Sequence, residues 1–304
     1  METPVITPHL WFDNEALKAA EFYVSVFGGD SAITHASVLH DTPSGDVETV
    51  SFRLRGQPFM AISGGPLFAF NPSISFFLNF DPSTDAGARE SLDAIWTKLA
   101  DGGTPLMPLD TYPFSQRYGW IQDKYGLSWQ LILSDPDGDP RPFIMPSLLF
   151  TRGVCGRAEE AMNFYQQVFN GSKTGIIARY PAGPGPDKEG TVMYEDFRIG
   201  GTWMAAMDSA GPHAFSFNEA ISFMVHCRNQ EEIDYYWASL SAQPEAEACG
   251  WCKDQFGVSW QIIPEALGTY MSGTPEQVQR VTQAFLKMKK FDVAELEQAY
   301  AGVA

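Results

Sequence analysis

Hydrophobic and polar positions change their period along this chain in a repeating order, which predicts strands and helices in a fixed succession. Residues 5–12 read as a strand, and apolar positions then recur at helical spacing from Ala16 to Phe27, where two glycines end the helix. Asn14 is placed to cap this helix. Strand-like runs at 32–39 and 47–54 and a further short strand follow. The pattern predicts a β-α-β-β-β unit.

A second unit of the same kind occupies residues 74–133 and ends in a hairpin, Gly-Trp-x-x-Asp-x-x-Gly-x-Ser-Trp-Gln, which begins at Gly119. The hairpin returns 131 positions later, beginning at Gly250. In its last strand Gln130 lies on one face and Trp129 on the other, because side chains alternate along a strand. A hairpin this specific indicates an internal duplication.

The duplication predicts an α+β protein with two tandem domains, each made of two β-α-β-β-β units. A polar, proline-rich linker at 134–142 separates domain 1, residues 1–135, from domain 2, residues 143–266. A C-terminal helical tail, residues 274–304, follows, with Thr274 and Asp292 as caps for two helices. Domain 2 has lost most of the counterpart of a loop at 107–116.

Composition narrows the class of protein further. The net charge of −17 argues against a nucleic-acid partner and against anionic membrane surfaces. No apolar run is long enough to span a bilayer, and the first residues lack the features of a signal peptide. We therefore expect a cytoplasmic protein whose four cysteines need not be paired.

The paired units, the Phe-Tyr at the end of each first helix (Phe22-Tyr23 and Phe164-Tyr165) and the Asp-x-x-Gly hairpin resemble the vicinal oxygen chelate superfamily, to which glyoxalase I belongs. More narrowly, residues 249–264 and 280–292 are similar to the PhnB-like family, which often carries the label 3-demethylubiquinone-9 3-methyltransferase. The resemblance implies glyoxalase-like domains, in each of which the sheet curls into an open cleft with the helices outside.

The resemblance also implies where a metal would be bound, since metal-binding members use residues of the first and last strands of each unit. The matching positions here are Thr7, Met60 or Ala61, Ser75 and Gln130 in the first half, and Met145, Met204 or Ala205, Ser222 and Gln261 in the second. Thioether, methyl, hydroxyl and amide groups are poor ligands for such a metal. We therefore expect neither a metal nor another cofactor.

Polar side chains at these strand positions are the candidates for a ligand pocket. His9 is two residues from Thr7 and shares its face of the first strand, and Ser147 takes the corresponding place in domain 2. The predicted pocket residues are Thr7, His9, Trp11, Ser75, Gln130, Ser147, Ser222 and Gln261. We expect the two clefts to differ, because domain 1 has both His9 and the long loop.

The favoured hypothesis is a metal-free protein that binds a small apolar or aromatic molecule in one or both clefts. The alternative is an isomerase, lyase or transferase of the same superfamily, using His9 or Glu48 as acid or base. A third is a structural pseudo-dimer whose second domain only completes the first. The sequence does not support the methyltransferase label, because it contains no glycine-rich nucleotide-binding turn. The duplication predicts an internal pseudo-dimer, itself a monomer or homodimer.

Overall fold

A computed structural model describes residues 6–42, 44–134 and 140–302 of the chain. The start of the predicted first strand, the predicted domain boundary at residue 135 and the last two residues of the tail lie outside these ranges. The first half contains β1 (Ile6–Phe12), α1 (Ala16–Phe27), β2 (Ala32–Thr42), β3 (Gly45–Leu54), β4 (Gln57–Ser63), β5 (Ile74–Phe80), α2 (Ala88–Ala100), β6 (Thr104–Tyr112), β7 (Ser115–Gln122) and β8 (Ser128–Leu133). The two predicted β-α-β-β-β units are both present.

The second half repeats this order with one strand fewer. It contains β9 (Ile144–Thr151), α3 (Ala158–Val168), β10 (Lys173–Arg179), β11 (Val192–Ile199), β12 (Thr202–Ser209), β13 (Ile221–Cys227), α4 (Gln230–Leu240), β14 (Trp251–Lys253) and β15 (Ser259–Pro264). A 3-10 turn, Pro244–Ala246, stands between α4 and β14, where the first half has β6. The chain ends in α5 (Ala266–Tyr270), α6 (Pro275–Phe285) and α7 (Val293–Ala301).

The strands form two sheets, and each sheet combines one unit from each half. The seven-stranded sheet has the order β14-β15-β13-β1-β4-β3-β2, and the eight-stranded sheet has the order β10-β11-β12-β9-β5-β8-β7-β6. The halves meet at two antiparallel pairs, β1 with β13 and β5 with β9. The expectation that each half builds its own cleft is therefore wrong, because every sheet crosses from one half to the other.

The helices of each half nevertheless pack within that half. In the first half, the Tyr23 ring of α1 lies 5.5 Å from the indole of Trp129 on β8, and Phe59 of β4 lies 5.3 Å from Phe76 of β5. The second half repeats the helix–strand contact with Tyr165 and Trp260, 5.4 Å apart. Each half thus packs its helices against its own strands within one continuous buried core, and the sheets join the two halves.

The tail helices begin where the sequence predicts. Thr274 and Gln277 form a reciprocal capping box at the start of α6, and the Asp292 side chain accepts the Glu295 amide at the start of α7. Within the described residues, no helix is long and apolar enough to cross a membrane.

Candidate functional site

The seven-stranded sheet presents a polar row on the face turned away from α1 and α4, which we call the His9 cleft. Strand pairing places His9 of β1 opposite Met60 of β4 on one side and opposite Ser222 of β13 on the other. The Gln261 amide on β15 donates to the Ser222 hydroxyl at 2.9 Å. Thr7 and Trp11 flank His9 on the same face, because side chains alternate along β1.

The eight-stranded sheet carries the equivalent row, which we call the Ser147 cleft. Ser147 of β9 lies opposite Ala205 of β12 and Ser75 of β5. Gln130 on β8 donates to the Ser75 hydroxyl at 2.8 Å and accepts from the Tyr118 hydroxyl at 2.6 Å. Both rows therefore consist of one residue from each of four strands, two strands from each half.

The structure groups the predicted pocket residues differently from the sequence-based expectation. Ser222 and Gln261 join Thr7, His9 and Trp11, although they come from the second half, and Ser75 and Gln130 join Ser147 instead. The predicted loop 107–116 is mostly the β6–β7 hairpin, at the edge of the eight-stranded sheet. It therefore accompanies Ser147 and not His9, so the expected pairing of that loop with His9 is wrong.

His9 is the polar residue with the most unusual surroundings in its cleft. The side chain is 2 % exposed, and its Nδ1 has no hydrogen-bond partner among the described residues. Its ring instead meets the edge of the Trp251 indole, with the ring centroids 5.2 Å apart. Burial lowers the pKa of His9 to about 3, so the imidazole is neutral at physiological pH.

Two residues that the sequence analysis did not assign to the pocket complete this cleft. Trp251 contacts both His9 and Trp11, the latter with ring centroids 6.1 Å apart. His226 Nε2 lies 3.0 Å from the Thr7 hydroxyl. The sequence could have predicted both residues. His226 is four residues from Ser222 and therefore shares its strand face, and Trp251 matches Trp120 of the first hairpin.

Glu48, the other candidate acid or base, does not face the His9 cleft. Its Oε2 accepts hydrogen bonds from the Leu17 amide at 3.0 Å and from the Ser63 hydroxyl at 3.2 Å. It therefore lies on the helix side of β3, at the start of α1. The structure separates Glu48 from His9 by the thickness of the sheet.

The residues of the two rows do not fit the metal site of the superfamily. The His9 row offers one imidazole with a thioether, a hydroxyl and an amide, and the Ser147 row offers hydroxyls, a methyl group and an amide. In the described part of the chain, no group of three or more His, Cys, Asp or Glu side chains could hold a metal ion. A divalent metal bound by His and carboxylate has no matching ligand set in either row.

The two joined sheets, with the helices outside them, give this chain a glyoxalase-like fold. Glyoxalase I from Zea mays shares the fold, with a TM-score of 0.52 and 12% identity over 89% of this chain and 98% of that chain. The family described as 3-demethylubiquinone-9 3-methyltransferase matches residues 4–132 and 142–263, and the chain belongs to this PhnB-like family.

Single-domain proteins match one half of the chain each time. A Bacillus cereus PhnB protein, provisionally described as a 3-demethylubiquinone-9 3-methyltransferase, is 36% identical over 42% of this chain and 98% of its own, with a TM-score of 0.37. A Staphylococcus aureus protein is 31% identical over 44% of this chain and 100% of its own, with a TM-score of 0.18. No curated protein matches the sequence.

Proposed function

We propose that this protein binds a small, largely apolar or aromatic molecule in the His9 cleft, without a metal. The observation that carries the proposal is the buried Nδ1 of His9, which has no partner among the described residues. A buried polar atom left without a hydrogen bond costs about 1–3 kcal/mol, so such atoms are rare in folded proteins. A ligand hydroxyl beside Nδ1 would remove this cost.

The walls of the cleft favour a flat ligand. The Trp251 and Trp11 indoles stand edge to face beside His9, and both are partly exposed. Aromatic rings of this kind provide large apolar contact area with defined geometry. Met60 adds a thioether and Ser222 adds a hydroxyl group to the same row. The cleft therefore combines apolar walls with a few polar atoms, as small-molecule sites commonly do.

The His9 environment favours binding over acid–base catalysis. An efficient general base has a pKa near the working pH, whereas burial lowers the pKa of His9 to about 3. The neutral ring still offers one donor and one acceptor nitrogen. His9 therefore suits the orientation of a ligand better than the removal of a proton, and Glu48 faces the other side of the sheet.

The Ser147 cleft is the weaker candidate because side chains already fill it. Phe77, Tyr118, Met145 and Ala205 form a buried cluster there, against which other apolar side chains pack: Met107, Tyr112, Trp120, Ile132, Tyr194, Trp203 and Met207. We therefore propose one site per chain. A cytoplasmic location, and assembly as a monomer or homodimer, belong to the same proposal and rest on the sequence.

Phenol and toluene form a matched pair of probes of similar size, because phenol has a hydroxyl group where toluene has a methyl group. We expect the purified chain to bind phenol about tenfold more tightly than toluene, roughly the contribution of one hydrogen bond. His9→Phe should abolish this preference, and EDTA should leave it unchanged. Calorimetry or quenching of tryptophan fluorescence measures both affinities.

Ser147→Ala is the control, since it alters the equivalent position of the other cleft. It should leave the preference for phenol intact. Equal affinities of the wild-type chain for the two probes, or loss of the preference in Ser147→Ala and not in His9→Phe, would contradict the proposal.

A further inference from the structure

The two sheets are equivalent strand by strand except at one position. The eight-stranded sheet has the edge strand β6, followed inward by β7, β8, β5 and β9. These four strands correspond, in order, to β14, β15, β13 and β1 of the seven-stranded sheet. The outermost strand β6 has no counterpart, because the second half is shorter between α4 and β14. The connection that follows α4 covers β14 itself: the Ala242 amide donates to the Lys253 carbonyl at 2.9 Å, and Ala248 forms an antiparallel bridge with Trp251.

The C-terminal tail takes the place of the missing strand at the two residues just before β14, which correspond to Tyr118 and Gly119 of β7. The Cys249 amide donates to the Met288 carbonyl at 2.8 Å, and the Gly250 amide donates to the Lys289 carbonyl at 2.7 Å. These bonds satisfy backbone groups that an edge strand otherwise exposes. Phe291, which is buried, anchors the end of this segment.

Two matching glycines show how closely the replacement follows the original. A Cβ on Gly119 would meet the Trp96 ring at 2.5 Å and the Leu109 backbone at 3.1 Å. A Cβ on Gly250, the corresponding residue, would meet the Phe291 ring at 2.5 Å. The tail therefore packs over the second hairpin at the point where β6 and α2 pack over the first.

The same tail also reaches the opposite edge of the seven-stranded sheet. On α6, Gln279 donates to the Asp41 carboxylate and Gln283 to the Asp41 carbonyl, both at 3.2 Å. Asp41 belongs to β2, and β2 and β14 are the two outermost strands of that sheet. Residues 275–291, which we call the strap, thus connect the two edges and close the sheet into a ring.

The two attachments of the strap differ in strength. The attachment beside β14 combines backbone bonds with the buried Phe291 ring, whereas the bonds to Asp41 are exposed and are made by the side chains of exposed Gln279 and half-buried Gln283. Between them, Val281 and Thr282 of α6 are buried, and the Thr282 hydroxyl has no partner in the described residues. Exposed hydrogen bonds break more easily than buried ones, because water competes for them.

We propose that the strap is the gate of the His9 cleft: it detaches from Asp41 to admit a ligand and stays anchored at β14. This inference rests on the proposed function, since it assigns the entrance to that site. The strap joins the two sides of the sheet to which the polar row belongs. The row residues on that sheet are all buried: Thr7, His9, Ser222 and Gln261. A ligand in this cleft then enters and leaves at a rate set by the strap.

The test compares three variants of the full chain. Gln279→Ala with Gln283→Ala removes the attachment to Asp41, Phe291→Ala weakens the anchor, and Gln298→Ala, an exposed change on α7, is the control. We expect the double variant to speed phenol association and dissociation at least fivefold, with little change in affinity. Stopped-flow fluorescence measures both rates.

Hydrogen exchange tests the strap without any ligand. Phe291→Ala should raise exchange at the Cys249 and Gly250 amides at least tenfold, whereas Gln298→Ala should not. Unchanged exchange in Phe291→Ala would overturn the strap itself, and unchanged phenol rates in the double variant would overturn its role as a gate. If phenol binds to no variant, the proposed function fails and the exchange result still decides the strap.

Discussion

Asp254 shows how much one residue of the duplicated hairpin holds together. Its Oδ1 accepts the amides of Phe256 and Val258, and its Oδ2 accepts the Trp260 indole N–H and the Tyr165 hydroxyl. The sequence predicts the first of these contacts, because an aspartate in a turn bonds its own backbone two residues on. The contacts with Trp260 and Tyr165 join the hairpin to its core and could not be predicted locally.

Replacing Asp254 by Asn should destabilise the protein strongly. The amide nitrogen of Asn would face either the indole N–H of Trp260 or two backbone amides, and in each case two donors would meet in a fully buried site. We expect the free energy of unfolding to fall by about 2–4 kcal/mol. Urea denaturation measures it, and Asp187→Asn, a change in a surface loop, should cost under about 1 kcal/mol.

Glu195 is a second buried acid, but the structure does not provide it with partners. Both carboxyl oxygens lack a hydrogen-bond partner within the described ranges. Burial, together with the nearby carboxylates of Glu159 and Asp208, raises the pKa of Glu195 to about 8. The folded protein therefore holds a proton that the unfolded chain, with a usual carboxyl pKa, has lost at neutral pH.

This difference predicts how stability changes with pH. Because the folded-state pKa is raised, the contribution of Glu195 is fully present below about pH 4.5 and is lost as the pH rises through about 8. Glu195→Gln cannot ionise, so it should stabilise the protein progressively more between pH 5 and pH 8.5. Thermal melts at several pH values would show this, and a pH-independent difference, or an equal trend in exposed Glu189→Gln, would count against it.

Among the elements, α1 shows a tertiary contact replacing a local one. The sequence predicts Asn14 as the cap, but the residue before the helix is Glu15 and no side chain of its own segment caps it. The first amides of α1 instead donate to Ser63 Oγ and Glu48 Oε2. The prediction was wrong because the Glu48 carboxylate, on strand β3, accepts a hydrogen bond from the start of the helix and so replaces a local cap.

Glu48→Ala should therefore weaken α1 and leave the His9 cleft intact. We expect the free energy of unfolding to fall by about 1–2 kcal/mol, as for the loss of a helix cap. Glu21→Ala, on the exposed side of the same helix, is the matched control and should have little effect. An altered phenol affinity in Glu48→Ala would show that Glu48 acts in the cleft after all.

At the scale of the whole molecule, the two halves exchange units as the partners of a dimer would. Strand β9 is the repeat of β1, and β13 is the repeat of β5. At both junctions the first strand of a half (β1 or β9) therefore pairs with the strand that opens the second unit of the other half (β13 or β5). This arrangement of strands supports the prediction that the chain is an internal pseudo-dimer.

A fragment of residues 1–134 should reveal this relationship. Alone, it lacks the strands that pair with β1 and β5, and those two edges would be free to pair with each other between copies. We expect the fragment to form dimers or larger aggregates in sedimentation experiments. A stable, well-folded monomer with native-like exchange at β1 and β5 would argue against an internal pseudo-dimer.

The sequence alone determined the α+β class, the repeated β-α-β-β-β units, of which the last has one strand fewer, the two hairpins and the caps of the tail helices. These features depend on side-chain periodicity and turn chemistry within a few residues, so local sequence specifies them. It also assigned His9, Ser222 and Gln261 to the same kind of strand face, because side chains alternate along a strand.

Only the tertiary structure decided which of these residues share a cleft. Strands pair through backbone hydrogen bonds, and a duplicated chain offers two nearly equivalent edges, β5 and β13, as neighbours for β1. Nothing in the local pattern distinguishes pairing within a half from pairing between halves. The packing of the whole chain makes that choice, and with it brings His9 beside Ser222 and Trp251 and bonds the C-terminal tail to both sides of the same sheet.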